Sequence, residues 1–87
     1  MANYIIEAPH TDAECLAIMD EIVADRPRLL GEFSWGCWTG VHNGWANLEA
    51  DSESAVRTML PSSNSDNWSV TEVNVFTEEQ VRAEHEA

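Results

Sequence analysis

Three groups of side chains in this 87-residue chain have chemistry beyond packing. The first is oxygen-rich: Glu7, Glu49 and Glu72, accompanied by Asn47 and Asn74. Carboxylates held at cross-strand distance repel unless one keeps a proton or a cation sits among them. Amide oxygens beside them suit a hard divalent cation, or a polar pocket for a small-molecule ligand. The second group is His10, Glu14, Cys15, Cys37 and His42, with His85 near the C-terminus. Imidazole, thiolate and carboxylate together suit zinc or nickel. The third is Trp35, Trp38, Trp45 and Trp68, whose rings would line a cavity for a flat organic ligand or heme.

Each group also has a plainer explanation. A glutamate at a strand end is simply solvated, and tryptophans mostly fill cores and interfaces. Cys15 and Cys37 have neither the C-x-x-C spacing of a redox pair nor the paired doublets of a zinc ribbon, so they read as small buried hydrophobes. His10 caps a strand-to-helix turn on this view, His42 sits in an exposed hairpin and His85 in a fraying helix. No G-x-S-x-G elbow, phosphate-binding loop or dinucleotide fingerprint is present. A proton-transfer isomerase needs only a carboxylate or imidazole in a dry pocket, which keeps Glu7, Glu49, Glu72 and His10 as candidate bases.

The elements that must position these residues are short and well punctuated. Residues 3–8 alternate, with Tyr4, Ile6 and Ala8 on one side and Asn3, Ile5 and Glu7 on the other, until Pro9 ends the strand. Thr11 and Glu14 form a capping box that opens a helix to about residue 25, with Cys15, Ile18, Met19, Ile22 and Val23 on its apolar stripe. Pro27 interrupts, and residues 28–30 make a further turn or an extended return. Residues 32–39 alternate as a second strand whose Gly36 marks a close approach of a backbone or ring. A turn over residues 40–44 carries the Asn43-Gly44 hairpin signal. Residues 45–50 form a third strand with Trp45, Asn47 and Glu49 on one side. Asp51 or Ser52 caps a second helix that Pro61 ends, and residues 62–67 read as a polar loop. A fourth strand over residues 68–76 sets Val73 and Val75 against Glu72, Asn74 and Phe76. Thr77 and Gln80 then box the start of a terminal helix.

The order strand, helix, strand, strand, helix, strand is that of a ferredoxin-like α+β sandwich in a single domain. It predicts a four-stranded antiparallel sheet in the order 4-1-3-2 with both helices on one face. The open face would carry Trp35 or Trp38, Trp45, Ile5 and Phe76, together with Glu7, Glu49 and Glu72. Such an aromatic face calls for a second sheet, so a homodimer is expected.

Composition narrows the partners. Sixteen acidic residues face four arginines and no lysine, for a formal net charge of −12. Four scattered cations cannot neutralise a phosphate backbone, which argues against nucleic acid. The lack of a long apolar run argues against a membrane span, and the absence of a basic, apolar leader makes the cytoplasm the expected compartment. Dispersed acidity fits a salt-rich, halophilic cytoplasm, where a Debye length of about 3 Å at 1 M silences self-repulsion. Stability should then climb between about 0.1 M and above 1 M KCl in thermal melts. A flat profile would leave only an acidic protein of an arginine-favouring genome.

The segments Tyr4 through Thr11 followed by Glu14-Cys15, then Phe33-Ser34-Trp35-Gly36-Cys37, His42-Asn43-Gly44, and Val73 through Thr77 before Glu79-Gln80 resemble a group of small uncharacterised prokaryotic proteins of the dimeric α+β barrel superfamily. That superfamily also holds muconolactone-isomerase-like enzymes, antibiotic-biosynthesis monooxygenases and small nickel-binding proteins. The resemblance covers nearly the whole chain and implies the fold and the dimer, but no catalytic motif carries over. The expected function is a homodimeric binding module holding a small ligand or cation on the open sheet face. A small cofactor-independent isomerase or monooxygenase is the alternative.

Overall fold

The computed structural model describes residues 1–62 and 65–86. Residues 63 and 64, inside the stretch read as a polar loop, lie outside the described residues, as does residue 87. The chain runs β1 (Ala2–Glu7), α1 (Asp12–Asp25), α2 (Pro27–Glu32), β2 (Phe33–Trp35), a single 3-10 turn (Cys37–Thr39), β3 (Gly44–Ala50), α3 (Glu53–Met59), β4 (Ser69–Val73) and α4 (Glu78–Glu86). The sheet is antiparallel with order β2-β3-β1-β4, the expected order read from the other edge. No helix among the described residues is long and apolar enough to cross a membrane.

Local chemistry accounts for the helix starts. The Thr11 hydroxyl accepts the Glu14 N–H at 3.2 Å, while the Glu14 carboxylate accepts the Thr11 N–H at 2.8 Å. Thr77 and Gln80 repeat the exchange at α4. Ser52 caps α3 by accepting the Ala55 N–H. Pro27 opens α2, where its fixed φ and missing N–H cost nothing, so the segment read as a turn or extended return is a short helix.

Alternation sets the layers. Tyr4 and Ile6 of β1, Ala8 just past it, and Ala46, Leu48 and Ala50 of β3 are buried against Ile18 and Ile22 of α1, Leu29 of α2 and Val56 of α3. Val23, placed on the apolar stripe by its spacing, is instead exposed. Trp68 is 1% exposed, and its ring centroid lies 5.8 Å from that of Phe33 on the far edge strand. One tryptophan thus fills much of the space between sheet and helices.

The second strand is shorter than its alternation implied because Gly36 leaves the ladder. Its carbonyl accepts the N–H groups of both Thr39 and Val41 at 3.0 Å, winding the chain into the 3-10 turn. A Cβ at Gly36 would stand 2.8 Å from the Val41 carbonyl oxygen, the close backbone approach expected there. The left-handed glycine of this connection is Gly40, with φ +91, rather than Gly44 of the Asn43-Gly44 pair. Gly44 begins β3 and leaves room for the Trp35 ring, whose Cε3 would lie 2.5 Å from a Cβ at that position. Gly44→Ala must therefore displace a packed indole. Chemical denaturation should register a loss of about 1–3 kcal/mol, and an unchanged midpoint would show that the ring moves freely.

Three expectations about the open face fail for reasons of register. Trp35 pairs with Gly44, and Phe33 with Ala46, so Trp35 lies on the helix-covered side and stacks on Phe33 at 4.9 Å. Glu72 pairs with Tyr4 and shares its covered side, leaving Thr71 and Val73 on the open face. Burial raises the Tyr4 hydroxyl pKa, and the charges of Glu72, Glu53 and Asp51 raise it further. The fourth strand stops at Val73 because Val73 pairs with Asn3, beyond which β1 offers only Ala2. Asn74 and Phe76 therefore lie past the sheet, whereas Ile5, Trp45, Asn47 and Glu49 are on the open face as expected.

Candidate metal centre

The end of the sheet nearest the α1 N-terminus gathers four of the predicted donors. Pairing of β1 with the β3 segment continues past the strand: Ala8 N–H donates to the Gly44 carbonyl at 2.8 Å, and His10 N–H to the His42 carbonyl at 3.2 Å. Pro9 lies between them, at the position whose N–H would point away from β3. His10 is thereby zipped beside His42, with ring centroids 5.8 Å apart. The Thr11 cap starts α1 at once and brings Cys15 over the same point in its first turn. The 3-10 turn supplies Cys37. One ligand atom from each of His10, Cys15, Cys37 and His42 lies within 4.8 Å of all the others.

The hydrogen bonds orient both imidazoles. His10 Nδ1 lies 2.9 Å from the Ala8 carbonyl oxygen, an acceptor only, so Nδ1 carries the proton and Nε2 presents its lone pair. That Nε2 is 3.3 Å from Cys37 Sγ, and the Cys15 thiol donates to Cys37 Sγ at 3.2 Å. His42 Nε2 faces the Asp12 carboxylate at 3.5 Å. Its Nδ1 is buried and has no hydrogen-bond partner among the described residues. An imidazole with one nitrogen turned to a carbonyl or carboxylate and the other left without a hydrogen-bond proton to share is how metal-ligating histidines are held, and His10 Nε2 already lies against sulfur.

Zinc bonds of about 2.3 Å to sulfur and about 2.0 Å to nitrogen space tetrahedral ligands roughly 3.3–3.8 Å apart, so small side-chain shifts suffice for a Cys2His2 shell. Burial pushes the Cys15 thiol up to about 11, with the Cys37 contact and the Asp12 charge adding to the shift. A cation would replace that proton.

Glu14, grouped with these donors by sequence, is not among them. Its carboxylate is committed to the Thr11 backbone, whose N–H draws its pKa down. His85 lies in the last turn of α4, outside the cluster. The contribution of Asp12 was not anticipated. One sequence signal was overlooked: His10 and Cys15 are five apart, and so are Cys37 and His42, giving H-x4-C and C-x4-H as mirrored doublets.

The oxygen-rich group does not converge. Glu7 lies opposite Trp45, and Glu49 opposite Asn3, which puts four steps of strand, about 13 Å of backbone, between their positions. Glu72 is on the other side of the sheet, and Glu7 Oε1 accepts the Asn43 amide at 3.1 Å. Asn47 sits opposite Ile5 on the open face, away from the cysteines. Among the tryptophans, Trp35 borders the cluster, its ring centroid 6.0 Å from His10. The chain matches no protein-family model, no curated protein and no solved structure, so the geometry alone carries the functional reading.

Proposed function

We propose that this protein is a metal-binding module in which His10 Nε2, Cys15 Sγ, Cys37 Sγ and His42 Nδ1 hold one divalent cation of the zinc class. The observation that carries this is the buried, unpartnered Nδ1 of His42 within a cluster whose other three donors already touch in series. A set of four protein donors leaves no open position for a substrate, so the ion's role is structural. It clamps the first turn of α1 to the β2–β3 connection, two segments otherwise joined here by side-chain contacts alone. Two thiolates and two imidazoles favour zinc over the hard cations magnesium and calcium. Cobalt(II) titration tests the assignment: one equivalent should produce the visible bands of a tetrahedral thiolate complex, lost in Cys37→Ser. An octahedral, nearly colourless spectrum would sink it.

The module is, on the same proposal, a ferredoxin-like homodimer paired through its open sheet face. A compact monomer of this mass exposes about 5,100 Å², whereas this chain exposes 6133 Å². Its radius of gyration is 15.6 Å, against about 12 Å for a compact domain of this length. The surplus of roughly 1,000 Å² exceeds the ~800 Å² each partner contributes to a standard interface. Val75 and Phe76 are 93% and 71% exposed, α4 buries no residue, and Ile5 and Trp45 occupy the uncovered face. A second copy offers that arm a surface to cover. Sedimentation should report a dimer, and truncation after Val73 should weaken it. A full-length monomer at the highest concentration used for the metal titration would overturn the pairing.

A further inference from the structure

The two cysteines of the cluster are also placed to react with each other. Cys15 Sγ lies 3.2 Å from Cys37 Sγ, and a disulfide requires about 2.05 Å, so closure by little more than 1 Å suffices. They are the only cysteines of the chain. Both border a cleft of about 270 Å³ with Leu16, Met19, Trp38 and His42 along its walls. Cys37 also borders a second cleft of about 370 Å³ beside Trp35 and Leu30. A small oxidant thus has a route to Cys37 from two sides, with Cys15 on the wall of one of them.

We infer that Cys15 and Cys37 form a peroxide-responsive dithiol whose oxidation ejects the bound cation. This inference rests on the metal-binding reading for its release step, while the dithiol chemistry stands without it. Cys37 sulfur attacks one oxygen of hydrogen peroxide. A sulfur–oxygen bond forms, the oxygen–oxygen bond breaks, and the departing hydroxide leaves as water after taking a proton. Cys15 sulfur then attacks Cys37 sulfur, forming the disulfide and breaking the sulfur–oxygen bond, and the hydroxide released leaves as a second water, taking the Cys15 proton in the metal-free dithiol and a solvent proton where the cation has replaced it. Two thiols and one peroxide, or two metal-bound thiolates, one peroxide and two solvent protons, give one disulfide and two waters, with two electrons passing from sulfur to oxygen. The cation then retains only the imidazoles of His10 and His42 and dissociates. The new bond spans 22 positions and replaces the metal as the link between α1 and the β2–β3 connection. One clamp is exchanged for another, so the fold survives while the ion is released.

The test treats zinc-loaded and chelator-treated protein with one equivalent of hydrogen peroxide. The expected result is loss of two hydrogens by intact mass, a Cys15–Cys37 peptide on non-reducing digestion, loss of bound zinc to a chromophoric chelator, and recovery of both with a thiol reductant. In metal-free Cys15→Ala, a sulfenic acid on Cys37 should be trapped by dimedone. If zinc never binds but the metal-free chain closes the disulfide, the metal-binding reading and the release step fail while the dithiol stands. If zinc binds and peroxide yields intermolecular disulfides, sulfinic acid or unreacted thiols, this inference fails alone.

Discussion

Zinc in excess of chelator-treated protein raises the midpoint of thermal unfolding by roughly 15 °C or more. Ligand at about 1,000 times its dissociation constant contributes about 4.1 kcal/mol, and each kcal/mol moves the midpoint of a domain this small by about 4–8 °C. The effect depends on the four donors, so His10→Ala, Cys15→Ser, Cys37→Ser and His42→Ala should each abolish most of the shift. Asp12→Asn removes the charge facing His42 Nε2 without touching the ion, and should lower affinity by about tenfold or more while leaving the site intact. The Cys15 thiol, pushed up to about 11 by burial, is protonated in the metal-free protein at neutral pH. Uptake must displace that proton, so apparent affinity falls about tenfold per displaced proton for each unit that the pH drops. Competition titrations at two pH values measure this slope. A zinc shift that persists in both cysteine variants would place the ion elsewhere.

Trp68→Ala should remove a large share of the stability of the metal-free protein. The side chain is 1% exposed and spans the space between the sheet and its helices. Truncating a buried tryptophan costs about 3–5 kcal/mol, and a domain of this length has only about 4–13 kcal/mol in total. Trp68→Phe should cost less, because it fills part of the cavity and removes an indole Nε1 that is buried without a partner among the described residues. Far-ultraviolet circular dichroism through a urea series distinguishes the two. A Trp68→Ala transition coincident with wild type would mean that the ring is not the centre of the core. Zinc should partly restore Trp68→Ala, since the ion binds only the folded arrangement.

The features legible in the chain were those determined within a few residues. Thr11 with Glu14, and Thr77 with Gln80, start helices through bonds three residues long. The alternation of Tyr4, Ile6 and Ala8 separates the faces of β1, and the strand order follows from the sequence of elements. Alternation defines two sets of residues but not which set is buried when both are mixed. In β4 the set with Val70 turned inward, opposite the assignment drawn from Val73 and Val75, and Glu72 went with it. Trp35 likewise went to the covered side because Gly44, nine positions on and paired with it, leaves the space its ring fills.

The candidate site divides in the same way. The sequence by itself determined the donor types and two five-residue doublets, because each doublet spans one local junction: strand end to helix turn, and 3-10 turn to strand start. Only the tertiary structure decided that the doublets meet. Their convergence depends on the β1–β3 register carrying His10 alongside His42, and on Gly36 turning the chain so that Cys37 faces Cys15. Those contacts join residues more than twenty positions apart, and no periodicity within either segment encodes them.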